Sequence, residues 1–255
     1  MQLFHSFSAI EQPPASVCTV GTFDGVHLGH QALLRSAVDD AHTRGLPCAV
    51  ITFFPHPRVV LSRAPAIYLT LPDEKARQMQ LLGVDILVVL TFDRETMLTS
   101  AAEFVRLMRE HLHMASLWIG DDFALGNKRQ GDAGFLKEHG RQFGFAVNVL
   151  SPVSAGPEAV SSTRIRTALA RGDMHDASLC LGRPFQVTGT LIDSATVRVP
   201  DQHALPAPGT YAALVCGRPC RAAVVDEPGR RVITLGHAAC CDPDPSDSIL
   251  VEFTD

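Results

Sequence analysis

No apolar run among the 255 residues approaches the ~20 that a membrane-spanning helix needs. Blocks of like charge are missing too. The 22 Lys and Arg are set against 27 Asp and Glu, for a net charge of −5. Neither nucleic acid nor an anionic membrane surface is therefore expected as a partner. The opening stretch "MQLFHSFSAIEQPPAS" has no Lys or Arg and no apolar core of secretory length, so no signal peptide is expected. The seven cysteines are odd in number and irregularly spaced. That excludes a simple disulfide framework and predicts reduced thiols in the cytoplasm. Internal repeats and low-complexity tracts are lacking. What remains, 46% apolar and 19% charged residues, is ordinary for a globular chain with a full core. The length suits one main domain with a smaller partner.

The first 150 residues alternate between two kinds of segment. Apolar β-rich runs at 16–23, 48–54, 84–92, 115–120 and 145–153 read as strands, and helical periodicity marks 30–45, 71–83 and 100–113. Ser100 and Glu103 match a capping box, and acidic residues open the helix at 71–83, the favoured end of its dipole. The 84–92 run has no polar alternation, as expected where both faces of a strand are covered. Strands alternating with helices predict an α/β fold with a doubly wound parallel sheet. The stretch 55–70 reads as irregular. Beyond residue 183 the texture changes to short β-type runs between Pro/Gly-rich turns, predicting a small antiparallel barrel or sheet. The expected domains are 1–183 and 184–255.

The first strand runs into "VGTFDGVHLGH" (20–30) and then a helix. Ligands of open α/β sheets sit at the carboxyl ends of the strands, and a helix N-terminus favours an anion. His27 and His30 are placed to offer N–H donors there, and can gain charge as negative charge builds on a ligand. Gly29 lets a flat base or a phosphate approach the backbone. Alone, such a pair of histidines is more often structural. A second motif, "VSSTRIRTALARG" (160–172), changes the balance. Ser161, Ser162 and Thr163 are N-cap and phosphate-binding types, with Arg164 and Arg166 just inside a helix. Taken alone, it would be a capped helix with solvated arginines. Together the two motifs predict opposite jaws around a polyphosphate.

"GTFDGVHLGH" with "SSTRIR" resembles the HxGH-type nucleotidyltransferases. Four further stretches, "TFFPHP" (52–57), "LTLPDEKARQMQLLGVD" (69–85), "IGDDFALGNKRQGD" (119–132) and "GDMHDASLCLGRPF" (172–185), narrow the resemblance. They point to the bacterial bifunctional riboflavin kinase/FMN adenylyltransferase family, over about residues 15 to 190. The resemblance implies transfer of AMP from ATP to FMN, giving FAD and pyrophosphate, with Mg²⁺ accompanying ATP. It implies that His27, His30 and Arg166 are catalytic. Gly21, Phe23, Asp24, Gly25, Gly29, Ser162, Thr163 and Arg164 would bind ATP, with Ser162, Thr163 and Arg166 on the departing pyrophosphate. Asp24 could stand near the Mg²⁺ or cap its own turn. Phe54, His56, Pro57, Asp122 and Phe123 would line the flavin side. Thr22 stands where the family usually has asparagine and Leu125 where it tends to keep an aromatic.

The family's kinase half carries a G-F-P-T-A-N stretch. Here "VTGTLIDSATVRVPDQHALPAPGTYAALV" contains none, and the chain ends at "ILVEFTD" before a closing helix, so no riboflavin kinase activity is expected. Glu252 has the residue type of the kinase base without its phosphate loop. Cys216, Cys220, His237, Cys240 and Cys241 invite a zinc reading, but their spacing is poor for it and free thiols are expected. Two alternatives stay open: a non-catalytic flavin- or nucleotide-binding paralogue, and an adenylyltransferase acting on another phosphorylated acceptor. The sequence leaves the oligomeric state open.

Overall fold

The computed structural model describes residues 1–10, 13–62, 66–227, 230–236 and 248–254. The chain divides into two compact units, each discontinuous in sequence. The first comprises Met1–Phe23, Gly29–Ala66 and Lys75–Val153; the second comprises Asp24–Leu28, Ile67–Glu74 and Ser154–Asp255.

The first unit is built on a six-stranded parallel sheet. Its strands are β1 (Gln2–Phe4), β2 (Ser16–Val20), β3 (Cys48–Phe54), β4 (Ile86–Thr91), β5 (Met114–Gly120) and β6 (Ala146–Leu150). They lie in the order β1-β4-β3-β2-β5-β6, every neighbouring pair parallel. All five residues of β2 are buried, as its unalternating apolar run requires at the centre of such a sheet. The helices are α1 (Leu28–Arg44), α2 (Pro57–Ser62), α3 (Pro72–Leu81), α4 (Arg94–Leu98), α5 (Ala101–Leu112) and α6 (Ala133–Phe143). The winding direction reverses between β2 and β5, so the binding crevice of this fold class opens beyond Val20 and Gly120.

Several elements differ from the sequence reading. Helix α1 begins at Leu28, two residues early, which puts Gly29 and His30 inside its first turn. Helix α2 occupies part of the stretch read as irregular, and β1 adds an edge strand beside β4. Helix α6, absent from the sequence reading, buries Leu136 and Gly140, with Ala133 and Phe135 packed half-buried against the same core. Its ends are nonetheless well marked. Asp132 caps the N-terminus by accepting from Phe135 N at 2.9 Å, and Gly144 closes the C-terminus in the left-handed region.

In the second unit, α7 (Ser162–Arg171) and α8 (Met174–Leu181) follow a small hairpin of β7 (Ser154–Ala155) and β8 (Glu158–Ala159). Six strands then close an antiparallel barrel: β9 (Phe185–Leu191), β10 (Thr196–Arg198), β11 (Gly209–Val215), β12 (Arg218–Glu227), β13 (Arg230–Leu235) and β14 (Ser248–Thr254). Alternation along β9 and β14 sends Phe185, Val187, Leu191, Ile249, Val251 and Phe253 inward. Ile165 and Leu169 of α7 and Cys180 and Leu181 of α8 join that core. Among the described residues no helix is long and apolar enough to cross a membrane.

Gly140 tests how closely α6 packs. A Cβ there would stand 2.5 Å from the Phe145 carbonyl oxygen, a backbone atom that cannot rotate away. Helix propensity alone makes Gly140→Ala stabilising by about 1 kcal/mol. The clash reverses that sign, and the expected outcome is a loss of about 1–3 kcal/mol in urea unfolding.

Candidate active site

In the second unit the motif residues of the 24–28 loop converge on Asp24, which is 1% exposed. Its Oδ1 accepts from Leu69 N at 2.9 Å and Thr70 N at 3.2 Å, and its Oδ2 forms an ion pair with Arg166. The Asp24 carbonyl accepts from Ser162 Oγ at 2.8 Å. Gly25 N donates to Thr70 Oγ1 at 3.0 Å. Gly25 sits at φ +85°, where a Cβ would meet Leu69 Cδ1 at 2.9 Å, so glycine is required on both counts. Val26 follows at φ +41°, a strained value for a β-branched residue.

Helix α7 starts where its cap residues predict. Ser161 Oγ accepts from Arg164 N at 3.1 Å, and Thr163 is exposed. The two arginines differ in use. Arg164 reaches Asp176 on α8 through Nε at 3.1 Å and the carbonyls of Ala155 and Glu158 through Nη1 at 3.0 Å, tying the β7–β8 hairpin and α8 to α7. Arg166, beyond its pair with Asp24, lines a cavity of about 740 Å³ with Ile67, Val199, His203 and Arg231.

His27 is 7% exposed. Burial pushes its pKa down to about 4, with nearby Arg183 adding to the shift and Asp24 opposing it. The imidazole is thus a neutral donor at physiological pH. Burial opposes a gain of charge by this ring in the unliganded protein.

Glu74 braces the 67–74 segment. Its Oε1 accepts from Thr188 N at 2.9 Å, and its Oε2 accepts from Leu71 N and from His203 Nε2, both at 2.8 Å. Burial alone would raise the Glu74 pKa, but these bonds, led by the one from His203, hold it below the ordinary value.

In the first unit, Phe23 is buried at φ +48°, and the His30 ring meets it edge-on at 5.2 Å. A Cβ at Gly21 would stand 2.9 Å from the Phe23 ring. Gly21 and Phe23 follow β2, while Asp122 and Phe123 follow β5, so both pairs border the crevice at the winding reversal. The Asp122 carbonyl accepts from Arg129 Nη2 at 2.7 Å, and Phe123 packs half-buried on the core. Phe54, His56 and Pro57 lie half-buried at the end of β3, with His56 Nδ1 accepting from Arg58 N at 3.0 Å. Leu125 is buried in the core of this unit.

Two residues escaped the sequence reading. Lys75 is 7% exposed and donates through Nζ to the Thr22 carbonyl at 2.6 Å, so Thr22 is used here through its main chain. The available signal was its position four residues before Met79, on the buried face of α3. The other is Arg183, whose guanidinium holds the carbonyls of Gly25 and Val26.

Among the described residues no group of three or more His, Cys, Asp or Glu is arranged to hold a metal ion, and both Asp24 carboxylate oxygens already accept other bonds. Cys216 and Cys220 are free thiols. His237, Cys240 and Cys241 lie outside the described residues.

The family model of FAD synthetase matches residues 9–164. The chain belongs to the FAD synthetase family. It is similar to a bifunctional riboflavin kinase/FMN adenylyltransferase of Listeria monocytogenes, 37% identical over 211 residues that cover 77% of this chain and 66% of the relative. A protein of the same organism named FAD synthetase is 32% identical over 200 residues, covering 77% of this chain and 80% of that one. Among solved structures, a Streptococcus pneumoniae protein described as a macrolide-efflux protein matches with a TM-score of 0.87 at 26% identity, covering 99% of this chain and 89% of that chain.

Burial of a neutral His27 has a measurable consequence. With its pKa at about 4 in the fold and 6.5 when unfolded, the unfolded chain binds the extra proton between those values. Stability contributed by the neutral ring is complete above pH 6.5 and is lost as pH falls towards 4. The loss amounts to about 3 kcal/mol. Urea unfolding from pH 8 to 4 should show a shallower decline in His27→Gln than in the parent protein.

Proposed function

We propose that this chain is a cytoplasmic FMN adenylyltransferase, transferring AMP from ATP to FMN to give FAD and pyrophosphate. The observation that carries this reading is the junction at Asp24. That residue joins the loop bearing His27 to the N-terminus of α7, where Ser162 and Arg166 stand. The family membership supports the same choice of substrates.

In this reaction an oxygen of the FMN phosphate attacks the α-phosphorus of ATP in line. A new P–O bond forms as the bond to the bridging oxygen of the departing pyrophosphate breaks. No covalent enzyme intermediate intervenes, so positioning and charge neutralisation carry the rate. His27 donates as a neutral imidazole, and His30 donates from the first turn of α1, where the helix dipole favours the same anion. Ser162 and Thr163 receive the pyrophosphate at the N-terminus of α7. Arg166 joins them in competition with Asp24, its partner in the unliganded protein. Gly21, Phe23, Gly25 and Gly29 shape the ATP side. Phe54, His56, Pro57, Asp122 and Phe123 take the flavin. Arg164, tied to Asp176 in the unliganded protein, stands on the ATP side in the first turn of α7. Mg²⁺ is expected to arrive with the triphosphate. The chain offers it no cage among the described residues, and no step is assigned to it.

Purified protein given FMN, ATP and Mg²⁺ should yield FAD, read by chromatography. His30→Ala should lower the rate roughly 10²–10³-fold; an unchanged rate would remove His30 from the mechanism. A second expectation concerns the barrel. It lacks a G-F-P-T-A-N stretch between β9 and β11, so the same protein given riboflavin and ATP should form no FMN. Accumulating FMN would show a kinase site built from other residues.

A further inference from the structure

Arg183 stands in the "GRPF" stretch that leads from α8 into β9. Its Nη2 donates to the Gly25 carbonyl at 2.8 Å, and its Nη1 donates to the carbonyls of Val26 at 3.1 Å and Leu181 at 3.3 Å. Nε is buried and has no hydrogen-bond partner among the described residues. No described carboxylate is in contact with the guanidinium. Glu74 is the acid whose charge it feels, at longer range, and burial lowers the arginine's pKa to about 10, so it stays charged at neutral pH.

An unpaired cation in a buried setting is costly, and the fold would be cheaper with a neutral donor there. Holding two carbonyls needs hydrogen-bond donors, not charge. What the guanidinium adds is a positive field behind the loop. A trans peptide also points its N–H opposite to its C=O. With the carbonyls of Gly25 and Val26 turned onto Arg183, the N–H groups of Val26 and His27 are directed to the loop's other face. The two arginines of α7 are each paired with an acid: Arg166 with Asp24, and Arg164 with Asp176.

We infer that Arg183 is a positioning residue for adenylyl transfer: it fixes the amide face of the 24–28 loop towards the ATP triphosphate and supplies the unneutralised positive charge behind it. This rests on the function proposed above. The triphosphate then provides the counter-charge that the fold withholds from Arg183.

The test compares Arg183→Gln and Arg183→Lys in the full chain, with ATP affinity from calorimetry and steady-state kinetics for both substrates. Arg183→Gln should weaken ATP binding about tenfold or more and lower kcat, with KM for FMN within about twofold. Arg183→Lys, which keeps the charge, should hold ATP affinity within about threefold. Wild-type ATP affinity and kcat in the glutamine variant would overturn the inference. So would an equal loss for both substrates that lysine does not restore, the pattern of a purely structural residue. If the glutamine variant fails to fold, a folded lysine variant with ATP affinity down more than tenfold overturns it by itself. Should the wild-type protein bind ATP yet form no FAD, the functional reading fails while the affinities still decide the role of Arg183. A wild-type protein that binds no ATP ends both.

Discussion

Asp24 is the point on which the second unit turns. Three segments far apart in sequence, 24–28, 67–74 and the start of α7, meet at one carboxylate and its own carbonyl. A buried carboxylate is tolerated only when its lone pairs are taken up, and here two backbone N–H groups and a guanidinium do so. The geometry is specific to a short acidic side chain. Asparagine would keep one acceptor but lose the charge facing Arg166, and glutamate would have to place an extra methylene where Asp24 is 1% exposed.

The 67–74 segment is held from its other end by a second carboxylate. Glu74 gathers Leu71 N, Thr188 N of β9 and His203, and the backbones of Tyr68 and Ala204 exchange a further bond at 2.7 Å. One short stretch therefore reads both the nucleotide loop and the barrel. The same segment that accepts from Thr188 N of the barrel at Glu74 supplies the Leu69 and Thr70 donors that hold Asp24. Within this unit the barrel is thus tied to the 67–74 segment through Glu74 and His203.

Much of this architecture could be read from sequence, because periodicity and caps are local signals. The central strands declared themselves by unbroken apolar runs, and Ser100 and Ser161 marked helix starts that the structure keeps. The helix at 133–143 was hidden by its glycine. Gly140 packs against the Phe145 carbonyl, so a poor helix former takes a buried position in the middle of the helix. At the site, residue types were legible and partners were not. "SSTRIR" advertises two arginines in equivalent terms, yet one pairs with Asp24 and the other with Asp176, a difference set by contacts 142 and 12 residues away. Lys75 and Arg183 were not singled out: the first had only its spacing from Met79 to mark it, and nothing local distinguishes an arginine between a helix and a strand.

Those pairings decide where the site's positive character resides. Counting side chains near the 24–28 loop suggests a strongly cationic pocket, since arginine dominates both motifs. The pairings reduce that count: Asp24 cancels Arg166, Asp176 cancels Arg164, and His27 is kept neutral by burial. What is left is Arg183, behind the loop and out of reach of any contacting acid among the described residues. A charge held by main-chain carbonyls is anchored to the peptide planes of the loop, and these set the direction of its field. On the function proposed above, selectivity for a polyanion would draw on two unlike sources. One is the fixed cation Arg183. The other is Arg166, paired with Asp24, which a triphosphate would have to draw away from that carboxylate.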